Sequence, residues 1–250
     1  KGEKSEVILK ITQSDCGIGI LRGCVLQIKA FNSNIEGSNR IMPIYDIFES
    51  SYELMGLYQD VNVIVMPAGL CDLYDKSIET YSYQDISKYI LQMSQAISCC
   101  HNNNIIHRDI KLNNFIVMSD GNIRLSDFDF ANHADSTTLF RGISGTPDFI
   151  SPEMVESKRD GIGYTRSTDI WSLGIAIYDL YTGNLPFGED DTTNNQIYIN
   201  ILEFINSINP AIKNIDDIPT KYRVLITRLL KRESERPNID TFLNLVKTTL

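Results

Sequence analysis

The hydrophobic pattern changes its period once along the chain, and that change constrains the fold more than any other feature. From residue 6 to 31 the apolar residues come in short stretches. Val7, Ile8, Leu9 and Ile11 form the first, residues 18–21 the second, and residues 24–31, rich in β-branched and apolar side chains, the third. A polar stretch at 32–40 separates these from two further strand-like runs at 44–48 and 61–66, with residues 58–60 near the turn. From residue 83 to 102 the spacing becomes helical, with Ile86, Tyr89, Ile90, Met93 and Ile97 on one face. Ser167, Thr168 and Asp169 offer capping oxygens ahead of an apolar run, so a helix is expected to start among them and continue through 170–180. Further helices are expected at 195–205, 221–230 and 238–250. A β-rich first part followed by an α-rich remainder predicts an α+β fold of two lobes.

Length and composition fit one catalytic unit. The 250 residues suffice for a full core, and 42% hydrophobic with 22% charged residues is ordinary for a globular domain. The longest apolar stretches, at 61–70 and 170–180, are too short or too interrupted to span a bilayer. A net charge of -9 disfavours nucleic acid and anionic membranes as main partners, since both demand basic patches, and suits a basic protein substrate better. Cys16, Cys24, Cys71, Cys99 and Cys100 match no metal-ligand spacing and are expected to be reduced thiols. Because the sequence begins at Lys1 rather than at methionine, it is expected to be part of a longer chain. Localisation therefore stays open, cytoplasmic by default with a secreted effector as the alternative.

Three polar segments carry chemistry. His107-Arg108-Asp109-Ile110-Lys111-Leu112-Asn113-Asn114 gathers a carboxylate, a lysine and an amide. Leu125-Ser126-Asp127-Phe128-Asp129 follows a hairpin whose turn is Ser119-Asp120-Gly121-Asn122. Gly145-Thr146-Pro147-Asp148-Phe149-Ile150-Ser151-Pro152-Glu153 comes third; apart from these three, Glu235-Arg236-Pro237 lies near the end. In this order the segments resemble the catalytic loop, the metal-binding motif and the end of the activation segment of eukaryotic-type Ser/Thr protein kinases. The resemblance covers about residues 86–250.

It implies the two-lobed protein kinase fold, with an abbreviated N-terminal lobe at 1–68 and a C-terminal lobe at 69–250, and transfer of the γ-phosphoryl of ATP to Ser or Thr hydroxyls. It implies Asp109 as the base, with Lys111 and Thr146 beside it, and Asn114 and Asp127 as ligands of Mg2+. Glu153 is expected to pair with Arg236, and Asp169 to hold the catalytic loop backbone. Asp129 stands where the family has glycine, which restricts the backbone and adds negative charge near the metal.

The N-terminal lobe departs further. Lys29 in Leu26-Gln27-Ile28-Lys29 is the candidate strand lysine for the α- and β-phosphates, which places Gln27 over adenine where the family has a small alanine. Gly17-Ile18-Gly19 lacks the third glycine of a phosphate-covering loop, so residues 17–23 read as a tight strand turn. Glu36, Glu49 and Glu53 are candidates for the lysine's carboxylate partner. The resemblance puts the hinge at Met66-Pro67-Ala68-Gly69, with Met66 as gatekeeper, Ala68 against the nucleotide and Ile116 as the floor under adenine.

Two readings of activity stand side by side. One is an active kinase, supported by Lys29, Asp109, Lys111, Asn114 and Asp127 together. The other is a pseudokinase acting as a scaffold or allosteric partner, favoured by Asp129 and the degenerate loop. A small-molecule or lipid kinase is disfavoured by residues 146–153, which in protein kinases form the peptide-docking platform. Phosphorylation at Thr137 or Thr138, received by Arg108, is expected to order the activation segment.

Overall fold

The computed structural model describes residues 6–13, 17–54, 57–75, 82–189, 191–208 and 210–250. Its first part is a three-stranded antiparallel sheet in the order β1-β3-β2, formed by β1 (Val7–Gln13), β2 (Asp46–Leu54) and β3 (Leu57–Pro67). The register pairs Ile8 with Met66 and Lys10 with Ile64. Paired residues share a face, so Ile8, Lys10, Ile64 and Met66 all point to one side of the sheet. β2 and β3 are longer than the sequence suggests, and Tyr58 to Asp60, at the end of β3 where Leu57 pairs with Leu54, are themselves paired strand residues.

Between β1 and β2 the structure corrects the sequence reading. Gly17–Phe31 is the helix α1, not a pair of strands joined by a glycine turn. Gly23, Cys24, Leu26, Gln27 and Ala30 are buried, at the spacing of one helical face. The β-branched Ile and Val of this segment carry only a few tenths of a kcal/mol of helix penalty each, so burying that face outweighs their strand preference.

The remainder is helical with small two- and three-stranded sheets. β4 (Cys71–Asp72) pairs with β6 (Phe115–Val117), which pairs with β7 (Ile123–Leu125), and β5 (Ile105–Ile106) pairs with β8 (Asn132–His133). The expected hairpin turn at 119–122 therefore joins β6 to β7. α2 (Tyr83–Asn102) opens on a capping box, with Ser82 accepting from Asp85 N while Asp85 accepts from Ser82 N. α3 (Pro152–Asp160) was not expected from the sequence, and Pro152 in its first turn costs nothing because that N–H has no helical partner. α4 (Thr168–Thr182), α5 (Asn194–Asn206), α6 (Thr220–Leu229) and α7 (Ile239–Thr249) match the four later helices within two residues at each end.

α4 is buried from Thr168 to Leu180 and forms the axis of the core. Trp171 stacks on Phe187 at 5.8 Å; α2 and α6 pack on α4, and α7 packs on α2, with Met93, Leu225 and Phe242 fully buried. Cys24, Cys71, Cys99 and Cys100 are free thiols, and Cys16 lies outside the described residues. No described helix is long and apolar enough to cross a membrane.

Candidate active site

The loop after β5 is fixed by one buried carboxylate. Asp169, in the first turn of α4, accepts from His107 N at 2.9 Å, from Arg108 N at 2.8 Å, and faces His101 Nε2 at 2.9 Å. Burial alone would raise the Asp169 carboxyl, but the contacts from His101 and His107 outweigh it and hold it below the ordinary range. Arg108 takes a left-handed conformation, φ 66°, which turns Asp109 inward.

Asp109 is the hub of the loop. Thr146 donates to its Oδ1 through N at 3.0 Å and Oγ1 at 2.7 Å, and Lys111 Nζ lies 2.9 Å from its Oδ2. Lys111 also donates to Thr146 Oγ1 at 2.7 Å, which closes a triangle of carboxylate, lysine and threonine. Asn114 Nδ2 donates to the Asp109 carbonyl at 2.7 Å and to Oδ2 at 3.0 Å. Burial pushes the Asp109 carboxyl up, but Lys111, Thr146 and Asn114 outweigh that and leave it ionised and below its ordinary range. An ionised carboxylate ringed by donors is suited to accept a proton from a hydroxyl.

The second half of the site comes from the strand pair β6–β7 and from β1. Ser126 N donates to Asn114 O at 2.8 Å, which brings Asp127 beside Asn114. Asp127 takes a left-handed φ of 61°, and Phe128 is buried edge-on against the His107 ring at 4.7 Å. Lys10 Nζ reaches across from β1 to Asp127 Oδ1 at 2.6 Å and Asp129 Oδ2 at 2.7 Å. Burial lowers the Lys10 ammonium pKa, yet the two carboxylates more than reverse this and raise it. Below the site, Arg236 makes a bidentate pair with Glu153, Nη1 to Oε1 at 2.6 Å and Nη2 to Oε2 at 2.5 Å, as the sequence led us to expect.

Comparison with known proteins agrees with this constellation. A family model described as a protein kinase domain matches residues 27–246. The chain belongs to the protein kinase domain family.

Among its relatives, an Aurora kinase of Schizosaccharomyces pombe is 37% identical over 191 residues, covering 73% of this chain and 50% of that protein. An Aurora kinase of Dictyostelium discoideum is 32% identical over 166 residues, covering 63% and 41%. The human NUAK family SNF1-like kinase 2 is 34% identical over 155 residues, covering 60% and 23%. The kinase domain thus spans half or less of the length of these relatives.

Within this kinase domain, Asp109, Lys111, Thr146, Asn114 and Asp127 come together as the sequence suggested. Lys29 does not. It lies on α1 and donates from Nζ to the carbonyl of Asn103 at 2.8 Å, while Lys10 occupies the strand position facing Asp127. Gln27, two residues earlier, donates to Met42 O at 2.8 Å from inside the helix and does not roof the nucleotide site. Two residues before Lys10, on the same face of its strand, stands Ile8, paired with Met66. Met66 therefore lies on the site face of β3, 4.0 Å through Sδ from Gln27 Nε2. Ala68 follows in the connection, its amide donating to Glu6 O at 3.0 Å. Gly69 lies so close to Ile116 that an added Cβ would meet its Cγ2 at 2.1 Å, which packs the hinge onto the expected floor.

Lys10 lies outside the matched residues 27–246, and the sequence signal for it is modest. It stands out only as a lone charge within the apolar run of Val7, Ile8, Leu9 and Ile11, at the centre of the first strand. Of the carboxylates considered as the lysine's partner, Glu36 pairs instead with Lys247 at 2.8 Å, and Glu49 and Glu53 lie in β2 opposite Asn62 and Tyr58.

Proposed function

We propose that this kinase domain transfers the γ-phosphoryl group of ATP to Ser or Thr hydroxyls of protein substrates. The observation that carries the reading is the Asp109 hub: an ionised base tied at once to Lys111, Thr146 and Asn114. In this reading Asp109 takes the proton of the incoming hydroxyl, and Lys111 balances charge on the transferred phosphoryl oxygens. Thr146 holds both in register. Lys10 contacts the α- and β-phosphates in place of Lys29, and Ile8 and Ile116 enclose adenine beside Met66 and Ala68.

The donor set suits magnesium. Asn114 commits its Nδ2 to Asp109, which leaves Oδ1 as a hard ligand, and Asp127 offers a carboxylate beside it. Mg2+ held there would neutralise phosphate charge and orient the β- and γ-phosphates. The test is phosphate transfer to a Ser/Thr peptide by wild type and by Asp109→Ala, with nucleotide binding followed in parallel. Loss of transfer with retained binding supports the assignment, and equal transfer by both proteins refutes it.

A basic substrate is supported by a second feature. A cavity of about 590 Å³ is lined by Tyr74, Asp148, Tyr178, Asp179, Glu189 and Lys213. Asp148 stands two residues beyond Thr146, and Asp179 is only 5% exposed. Burial, with the Asp148 charge added, pushes Asp179 up to about 7. Lys213 is engaged with Glu189 at 2.6 Å, so a substrate Arg or Lys is a fitting counter-charge for the two aspartates. Peptides with and without an Arg near the acceptor, compared on wild type and Asp179→Asn, test this. The Arg preference should fall in Asp179→Asn, and an unchanged preference would exclude the cavity as a basic-residue subsite.

A further inference from the structure

In protein kinases the strand lysine is held by an ion pair with a glutamate on the neighbouring helix. Here that helix has none to give. α1, Gly17–Phe31, contains no Asp or Glu, and its charged residues are Arg22 and Lys29. Both are bound to backbone carbonyls, Arg22 Nε to Ala131 O at 3.2 Å and Lys29 Nζ to Asn103 O at 2.8 Å. What α1 presents to the turn at 128–129 is bare backbone: a Cβ on Gly23 would lie 2.4 Å from Phe128 O and 3.3 Å from Asp129 N. The helix is pressed against this turn without offering it, or Lys10, a carboxylate.

We propose that Asp129 is the positioning residue for Lys10, supplying from the activation segment the carboxylate that the helix lacks. Its Oδ2 lies 2.7 Å from Lys10 Nζ. Asp127 is equally near, at 2.6 Å, but in the reading above its oxygens also face magnesium, so its hold on the lysine is shared. Asp129 keeps Lys10 aimed at the phosphate position when Asp127 is so engaged. The residue that breaks the family's glycine pattern and the helix that lacks a glutamate are thus two sides of one rearrangement. It couples the lysine to the turn at 127–129 rather than to movement of α1.

The inference rests on the reading of Lys10 as a phosphate contact, and the test separates the two. ATP affinity is measured for wild type, Asp129→Asn, Lys10→Met and the double variant, with magnesium and in EDTA, after melting curves establish that each is folded. Asp129→Asn should weaken ATP binding about fivefold in both conditions, and should cause no further loss once Lys10→Met is present. Asp129→Glu, which retains the carboxylate, should recover most of that loss. If Asp129→Asn does not fold, Asp129→Gly, the residue of the family pattern, takes its place in the same cycle. Equal losses in both backgrounds would overturn the proposal, because Asp129 would then act without Lys10. So would a loss confined to magnesium, which would make Asp129 a metal ligand, or tighter ATP binding in Asp129→Asn, which would make it a repulsive charge only. Unchanged affinity in Lys10→Met would instead refute the phosphate role of Lys10, and the proposal with it.

Discussion

Replacing Lys10 by methionine should remove most nucleotide affinity or turnover, whereas Lys29→Met, which breaks only a bond to the Asn103 carbonyl, should leave both near wild type. Titration of ATP onto the two folded variants checks this, and the reverse order of effects would restore Lys29 to the site. Asp127→Ala and Asp109→Ala should both abolish transfer, but only Asp127→Ala should weaken magnesium-dependent nucleotide binding. Equal affinity in the two would contradict the metal assignment. Asp179 makes the stability of the fold depend on pH. Its carboxyl sits at about 7 in the fold against 3.8 as the ordinary value. The folded state therefore binds its proton more tightly, and the resulting stability is complete below about pH 4 and lost as pH rises towards 7. Asp179→Asn should raise the melting temperature by an amount that grows between about pH 4 and pH 7 and is level above. A gain independent of pH would show that Asp179 is not titrating in this range.

At the scale of elements, α1 is where sequence reasoning failed. Gly17-Ile18-Gly19 and the Ile and Val that follow suggested strands, while the burial of positions 23, 24, 26, 27 and 30 is helical. Gln27 among the buried positions hid that face, because its amide is satisfied by the Met42 carbonyl, a partner only the fold supplies. The misread helix displaced the lysine from Lys10 to Lys29. By contrast the catalytic loop, Asp127 and the later helices were legible, because their chemistry or period is local. Gly23→Ala tests the contact between α1 and the turn at 128–129. Its Cβ cannot enter without moving backbone, so a loss of about 1–3 kcal/mol and weaker ATP binding are expected. Gly19→Val, with no atom within 4 Å of its added Cβ, should spare ATP affinity. In the activation segment, Asp135 already accepts from Thr137 Oγ1 at 2.8 Å and Thr138 Oγ1 at 2.9 Å, and Arg108 Nε is spent on the Phe130 carbonyl. A phosphate on Thr137 would face the Asp135 carboxylate, contrary to the ordering role expected from the sequence. Activity should survive complete phosphatase treatment.

Across the whole molecule, two buried carboxylates tie the catalytic loop and the end of the activation segment to the helical core. Asp169 fixes the catalytic loop from α4, and Glu153 at the start of α3 pairs with Arg236, which lies over the Trp171 ring at 5.3 Å. Removing one partner leaves a buried charge uncompensated, so Glu153→Gln should cost about 3–5 kcal/mol in denaturant unfolding. A loss below about 1 kcal/mol would mean that Arg236 is held by the carbonyls of Ser167 and Lys231 instead. In the function proposed above, one site performs phosphoryl transfer, built from Lys10 on the sheet and from Asp109, Lys111, Asn114 and Asp127 on the helical side. The most direct measurement is the transfer of labelled γ-phosphate from ATP with magnesium to a Ser/Thr peptide carrying an arginine, run on wild type, Lys10→Met, Lys29→Met and Asp109→Ala. Transfer by wild type and Lys29→Met, with none by Lys10→Met or Asp109→Ala, is the result predicted. No transfer by folded wild type, or transfer lost in Lys29→Met and kept in Lys10→Met, would contradict it.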